Sequence, residues 1–202
     1  MLRPVLVTAP EALPVSALEV AESIRRVEYG PDGQPLVIED EAAIRQLIKS
    51  AVAHYDGWSG ILGVCLVAQT WRQDFNSFDQ KMMLGLRPVQ SISSVKWRNE
   101  AGQISTVAAE NYSLKTDAGG QSYVRFVNDF STPPSLYEDA AVSIEYVVGW
   151  PIVETVATTP DDIKTGLILR VQKLYDEAAQ ANSDILDRVE RDLISKYRAP
   201  LF

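Results

Sequence analysis

DEAAIRQLIKSAVAHYDGWSGILGVCLVAQTW, residues 40–71, decides the architecture. Its first half is an amphipathic helix. Ile44, Leu47, Ile48, Ala51 and Tyr55 recur at helical spacing and form one apolar stripe. Asp40 and Glu41 fall in the first turn, where acids suit the positive end of the helix dipole. Asp56-Gly57-Trp58-Ser59-Gly60 then stops the helix, because glycine adopts left-handed backbone at little cost. Val64 to Trp71 has the β-branched and aromatic bias of a strand. The stretch is a joint between a helical part of the chain and a β part.

Upstream, Pro4, Pro10 and Pro14 mark an extended leader. Ser16 and Glu19 form a capping-box pattern that opens a helix over 17–27, with Leu18, Ala21 and Ile24 inward. Residues 29–35 are a loop by composition. Downstream, 64–149 reads as a meander of short, mostly antiparallel strands. Candidate strands cover 81–84, 86–97, 103–107, 111–115 and 122–127, with Asn99-Glu100-Ala101-Gly102 as a hairpin turn. Val142, Ile144, Tyr146 and Val148 alternate with Ala141, Ser143, Glu145 and Val147, the cleanest period-two signal in the chain. Thr159-Pro160-Asp161-Asp162 starts a third helix, with Thr159 as cap and Ile163, Leu167, Val171, Leu174 and Ala178 inward. Ala181 to Asp184 breaks it. Leu186, Val189, Leu193 and Tyr197 mark a fourth helix.

The expected fold is therefore α+β. Two N-terminal and two C-terminal helices form a four-helix, bundle-like part, and an antiparallel β subdomain of about six strands is inserted between them. Residues 1–62 hold the N-terminal helices, 63–150 the β subdomain, and 151–202 the C-terminal helices and an arm; the two helical segments pack as one domain.

Composition narrows the function. The 202 residues are 46% hydrophobic and 23% charged, the make-up of a globular protein with a real core. A net charge of −8 argues against a generic phosphate-backbone binder, while leaving room for a passage through which DNA slides without sticking. A single cysteine, Cys65, gives neither an internal disulfide nor a cysteine-based zinc site, and fits a reducing compartment. The N-terminus lacks the apolar core of a signal peptide, and no run is long enough to span a membrane.

Catalytic constellations are missing. His54 is the only histidine, so a multi-histidine metal site is out of reach, and it reads as a helix-end residue. Gly57-Trp58-Ser59-Gly60-Ile61 lacks the final glycine of a nucleophile elbow and runs helix to strand rather than strand to helix. Cys65, on an apolar run, reads as core. The acidic clusters at 39–41, 138–139 and 161–162 read as capping and solvated residues, and Trp58, Trp71, Trp97 and Trp150 as core or interface packing. No catalytic, metal or cofactor residue is assigned. Residues 184–202 are amphipathic and follow a break; a helix folded on its own domain and an arm docked on a partner both remain open.

Several segments share a pattern. The helix ending before glycine leads to Gln69-Thr70-Trp71; Leu86 to Val95 reads L-R-P-V-x-S-I-x-S-V; a Y-V-V-G-W segment, 146–150, precedes the third helix; and Tyr197-Arg198 stands near the end, with Lys196 where a proline is common. In this order they resemble the head–tail connector (adaptor) proteins of long-tailed phages and prophages, over about residues 5 to 202. That resemblance implies a structural virion protein, not an enzyme. It implies a dodecameric ring beneath the portal protein, monomeric in isolation, that extends the DNA channel and offers a platform to a tail-completion or stopper protein. DNA would be passing cargo only, no membrane and no cofactor would be involved, and assembly would take place in the host cytoplasm. By the same resemblance the portal-binding candidates are Tyr197, Arg198, Leu201 and Phe202. The alternatives are a cytoplasmic interaction module unrelated to phage and a small hydrolase.

Overall fold

The structure, a computed structural model, describes residues 2–176 and 182–198. Its strands are β1 (Val5–Thr8), β2 (Val27–Tyr29), β3 (Pro35–Ile38), β4 (Gln69–Phe75), β5 (Lys81–Met83), β6 (Val89–Arg98), β7 (Ile104–Thr106), β8 (Tyr112–Thr116), β9 (Ser122–Phe126), β10 (Val142–Val148), β11 (Ile152–Val153) and β12 (Val156–Ala157). The helices are α1 (Ala17–Ser23), α2 (Glu41–Tyr55), α3 (Asp161–Tyr175) and α4 (Ser183–Ile194). The class is α+β, as the sequence implied, with four α-helices among the described residues and all named strand pairs antiparallel.

The capping box forms: Glu19 N donates to Ser16 Oγ at 3.1 Å and Ser16 N donates to Glu19 Oε2 at 2.6 Å. The helix it opens ends at Ser23 rather than Val27. Arg25 turns the chain with φ 59°, and Val27 enters a hairpin opposite Ile38, where two β-branched side chains pair. α2 matches its predicted stripe, with Ile44, Ile48, Ala51 and Tyr55 fully buried.

The joint after α2 is tighter than its sequence suggests. Gly57 has φ 72°, and a Cβ on Gly60 would lie 2.2 Å from the Tyr55 carbonyl oxygen, so only glycine fits there. The strand begins at Gln69, not Val64. Residues 64–68 form a buried link whose backbone is satisfied from several sides: Cys65 N donates to Arg87 O at 2.9 Å and Ala68 N to Trp150 O at 2.8 Å. Its side chains alternate between two cores. Val64, Leu66 and Val67 enter an apolar cluster made with α1, α2, α3 and Ile194 of α4. Cys65 enters a second cluster inside the β part.

The main sheet has the order β1-β4-β10-β6-β7. Its central strand is β10, where Val142, Ile144, Tyr146 and Val148 are buried, as the alternation predicted. A second sheet, β5-β9-β8, encloses the same cluster, and β2-β3 and β11-β12 are separate hairpins. The six-strand meander is thus subdivided, and it recruits β1 from the leader, which the sequence reading left as extended chain. The turn at 99–102 forms as read, with Gly102 at φ 77° and its N–H donating to Asn99 O at 2.8 Å.

Two further expectations change. Thr159 does not cap α3: it is buried, its hydroxyl donates to Leu66 O at 2.5 Å, and Pro160 takes the cap position. The inner stripe of α3 holds Ile163, Leu167 and Val171, whereas Leu174 is exposed and Ala178 lies outside the described residues. On α4 the buried residues are Glu190 and Ile194, while Val189 is exposed. Leu193 and Tyr197 of the expected stripe are half-buried against the helical cluster, and Glu190 joins that face through ion pairs with α3, described below.

Candidate assembly surfaces and the C-terminal joint

α4 is attached through a buried charge cluster. Glu190, only 5% exposed, accepts hydrogen bonds from the Tyr55 hydroxyl on α2, from Arg170 Nη1 at 3.2 Å and from Lys173 Nζ at 2.5 Å, both on α3. Lys173 also pairs with Asp187. Burial alone would raise the Glu190 carboxyl, but the hydrogen bonds from Lys173 and Tyr55 outweigh it and hold the group below the usual glutamate value. Burial, then the bond to Glu190, pushes the Tyr55 hydroxyl up. Below this cluster, Ile194 packs against Gly166, where a Cβ would lie 3.1 Å from Ile194 Cγ2. The sequence reading missed Glu190. The signal is there: Leu186, Glu190 and Ile194 share a helical face, which places an acid in an apolar row.

The predicted docking residues follow α4. Tyr197 is half-buried in a short 3-10 turn, its ring edge-on to Trp150 with centroids 6.2 Å apart, and its carbonyl accepts from Arg87 Nη2 at 2.9 Å. Lys196 pairs with Asp162 at the start of α3, and Arg198 is exposed. Tyr197 and Arg198 thus sit side by side where the C-terminal segment meets the β part. Leu201 and Phe202 lie outside the described residues.

Gln69 and Trp71 of the Gln69-Thr70-Trp71 triplet serve the joint itself. The Asp56 carboxylate accepts from Leu66 N at 2.6 Å and from Gln69 Nε2 at 3.0 and 3.1 Å, while Trp71 packs in the β core. Desolvation raises the Asp56 carboxyl, and these donors counter it.

No reactive site is assembled from the candidate groups. Burial pushes the Cys65 thiol up, away from a reactive thiolate. His54 is held below the usual histidine value by desolvation and by Arg170. Among the described residues no three His, Cys, Asp or Glu side chains gather as a metal would require, and no helix is long and apolar enough to cross a membrane. The exposed features are apolar edges instead: β1, with Val5 at 49% and Val7 at 51% exposure, β7, with Ile104 at 63%, and the β2-β3 hairpin, with Leu36 at 66%.

No protein-family profile matches the chain. No curated protein matches it either. Solved structures do. A chain in the neck of an empty gene transfer agent (GTA) particle, computed with C6 symmetry, superposes with a TM-score of 0.74 at 18% identity, covering 100% of this chain and 97% of that one. A chain in the neck of a native GTA particle, computed with C12 symmetry, gives 0.66 at 18% identity, over 98% and 97%. One from the virion of a native GTA particle gives 0.69 at 16% identity, over 98% and 96%. The polypeptide therefore has, from end to end, the fold of a gene transfer agent neck chain, and the likeness to phage head–tail connectors read from its sequence is borne out in that fold.

Proposed function

We propose that the protein is a head–tail connector, a structural part of a phage or phage-like particle. Copies form a ring, dodecameric in the particle, that sits beneath a portal protein, extends the DNA channel and receives a tail-completion or stopper protein. The observation that carries this reading is the whole-length match to neck chains from particles computed with C6 and C12 symmetry. The work is done by contacts rather than bond chemistry, in keeping with a lone histidine and a buried thiol. The net charge of −8 suits a channel wall that DNA passes without sticking. The ring assembles in the host cytoplasm, on the portal, and the isolated chain is a monomer.

Within this reading, residues 1–62 and 151–202 make one helical, bundle-like body and 63–150 the β body. The two apolar clusters support that division, with β1 the strand that crosses it. Tyr197, Arg198, Leu201 and Phe202 contact the portal. Tyr197 packs edge-on to Trp150, and the exposed Arg198 follows it in the chain.

Negative-stain imaging and native mass spectrometry of the purified chain, alone and with purified portal rings, test the proposal. A ring bound to portal only when both are present supports it. No binding at concentrations tens of times those in an assembling cell overturns it. Replacing Arg198 with alanine and removing 199–202, which leaves the packed Tyr197 in place, is expected to weaken portal binding at least tenfold while the thermal transition is retained.

A further inference from the structure

We propose that neighbouring copies join through the two ends of the main sheet, β1 of one copy against β7 of the next; this rests on the ring reading above. Among the described residues, no strand pairs with the outer edge of either β1 or β7. All residues of both strands are exposed, and β1 contributes no buried side chain although it reads Val5-Leu6-Val7. A strand that is apolar, exposed on both faces and unpaired along one edge is a template for another strand. Pro4 and Pro10 bound β1, and its register slips between Leu6 and Thr8, which keeps the template short.

The occupant is a second copy because one chain carries both halves of the contact. A ring needs two different surfaces that meet head to tail, and the opposite ends of one sheet meet that condition. The registers also match by face. Val5 pairs with Arg72, Arg72 with Glu145, and Ser143 with Lys96; Ile104 pairs with Arg98, two residues along β6. Val5 and Ile104 therefore project from the same, polar face of the sheet, at opposite ends. Each strand in the order β1-β4-β10-β6-β7 is antiparallel to its neighbour, so β1 and β7 run the same way. Ile104 lies four residues, about 13 Å, along the strands from the level of Val5, so a copy rotated about an axis inclined to the strands lays its β1 parallel to β7 of the first, with Val5 beside Ile104 and the polar face continuous. Each contact is short and weak alone, and closure of a ring multiplies it.

The test uses the full chain with portal rings. The variant V5C/I104C is oxidised after assembly, with V5C/S105C as control, since Ser105 pairs with Trp97 and faces the other side. Disulfide-linked multimers from V5C/I104C and none from V5C/S105C support the inference. Portal-bound rings that give no V5C/I104C cross-link, or equal cross-linking from both variants, overturn it and leave the connector reading intact. Failure of the unmutated chain to form any ring overturns the connector reading and this inference with it. As a second measure, V7K and I104K each replace an exposed side chain, so both fold with an unchanged thermal transition. Each is expected to lose the ring, and rings at the normal yield from both would refute the pairing.

Discussion

Replacing Glu190 with glutamine removes one charge and keeps the size of the side chain, which makes it a clean probe of how α4 is held. The carboxylate is buried and accepts from Tyr55, Arg170 and Lys173 at once. Removing one partner of a buried ion pair costs about 3–5 kcal/mol. Three features reduce that figure here. The Lys173 side chain keeps Asp187, and the Arg170 side chain is 28% exposed, so water screens part of its loss. The fully buried Tyr55 hydroxyl retains the glutamine oxygen as an acceptor. The expected cost is about 2–3 kcal/mol, or roughly 5–10 °C in Tm for a chain of this size. The pH dependence has a definite sign. The Glu190 carboxyl lies below its usual value in the fold, so its contribution is complete above about pH 4.3 and disappears as the pH falls through the folded value. The gap between wild type and E190Q in urea unfolding should be full at pH 7 and shrink once the pH falls below the usual glutamate value of about 4.3. Hydrogen exchange should show the α4 amides opening first in the variant. Equal stability at pH 7 within about 0.5 kcal/mol, or a gap that does not shrink on acidification, would refute the assignment of α4's attachment to this cluster.

Other perturbations test other parts of the fold. Gly149 has φ 109° and a Cβ there would meet Val67 O at 2.2 Å, so G149A should cost about 3 kcal/mol or more, read as a lower urea midpoint. S16A removes the acceptor of the capping box and should cost about 1 kcal/mol, with the loss concentrated in α1. Cys65 should react with a thiol reagent only as fast as the chain opens, because burial keeps its thiol protonated; rapid labelling of the native protein would contradict the buried link. His54 is held below its usual value, so its neutral form is favoured in the fold and stability should fall as the pH drops through about 6.5; in H54Q that component should vanish.

Elements with strong local signals appear where the sequence places them. The stripe of α2, the glycine stop after it, the capping box of α1 and the alternation of β10 each follow from side-chain period or backbone preference, which act over a few residues. The candidate docking residues are only partly described: Tyr197 and Arg198 are adjacent, and Leu201 and Phe202 fall outside the described residues. The lone histidine and the lone cysteine exclude multi-histidine and multi-cysteine metal sites without any coordinates, since those need more such residues than the chain has.

What the chain alone could not specify are outcomes settled between distant segments. Val5 to Thr8 is a strand because β4 offers it an edge, some sixty residues away in sequence. Val64 to Ala68 has strand composition but stays a link, since its amides are taken by Arg87, Trp150 and the Asp56 carboxylate. Thr159 has the makings of a cap, yet the buried Leu66 carbonyl claims its hydroxyl. The buried face of α4 takes in an acid because Glu190 finds Lys173, Arg170 and Tyr55 on two other helices. Period and propensity are properties of neighbouring residues and can be read in one dimension. Which buried polar group finds a partner, and which edge finds a strand, depends on segments that meet only when the chain has folded.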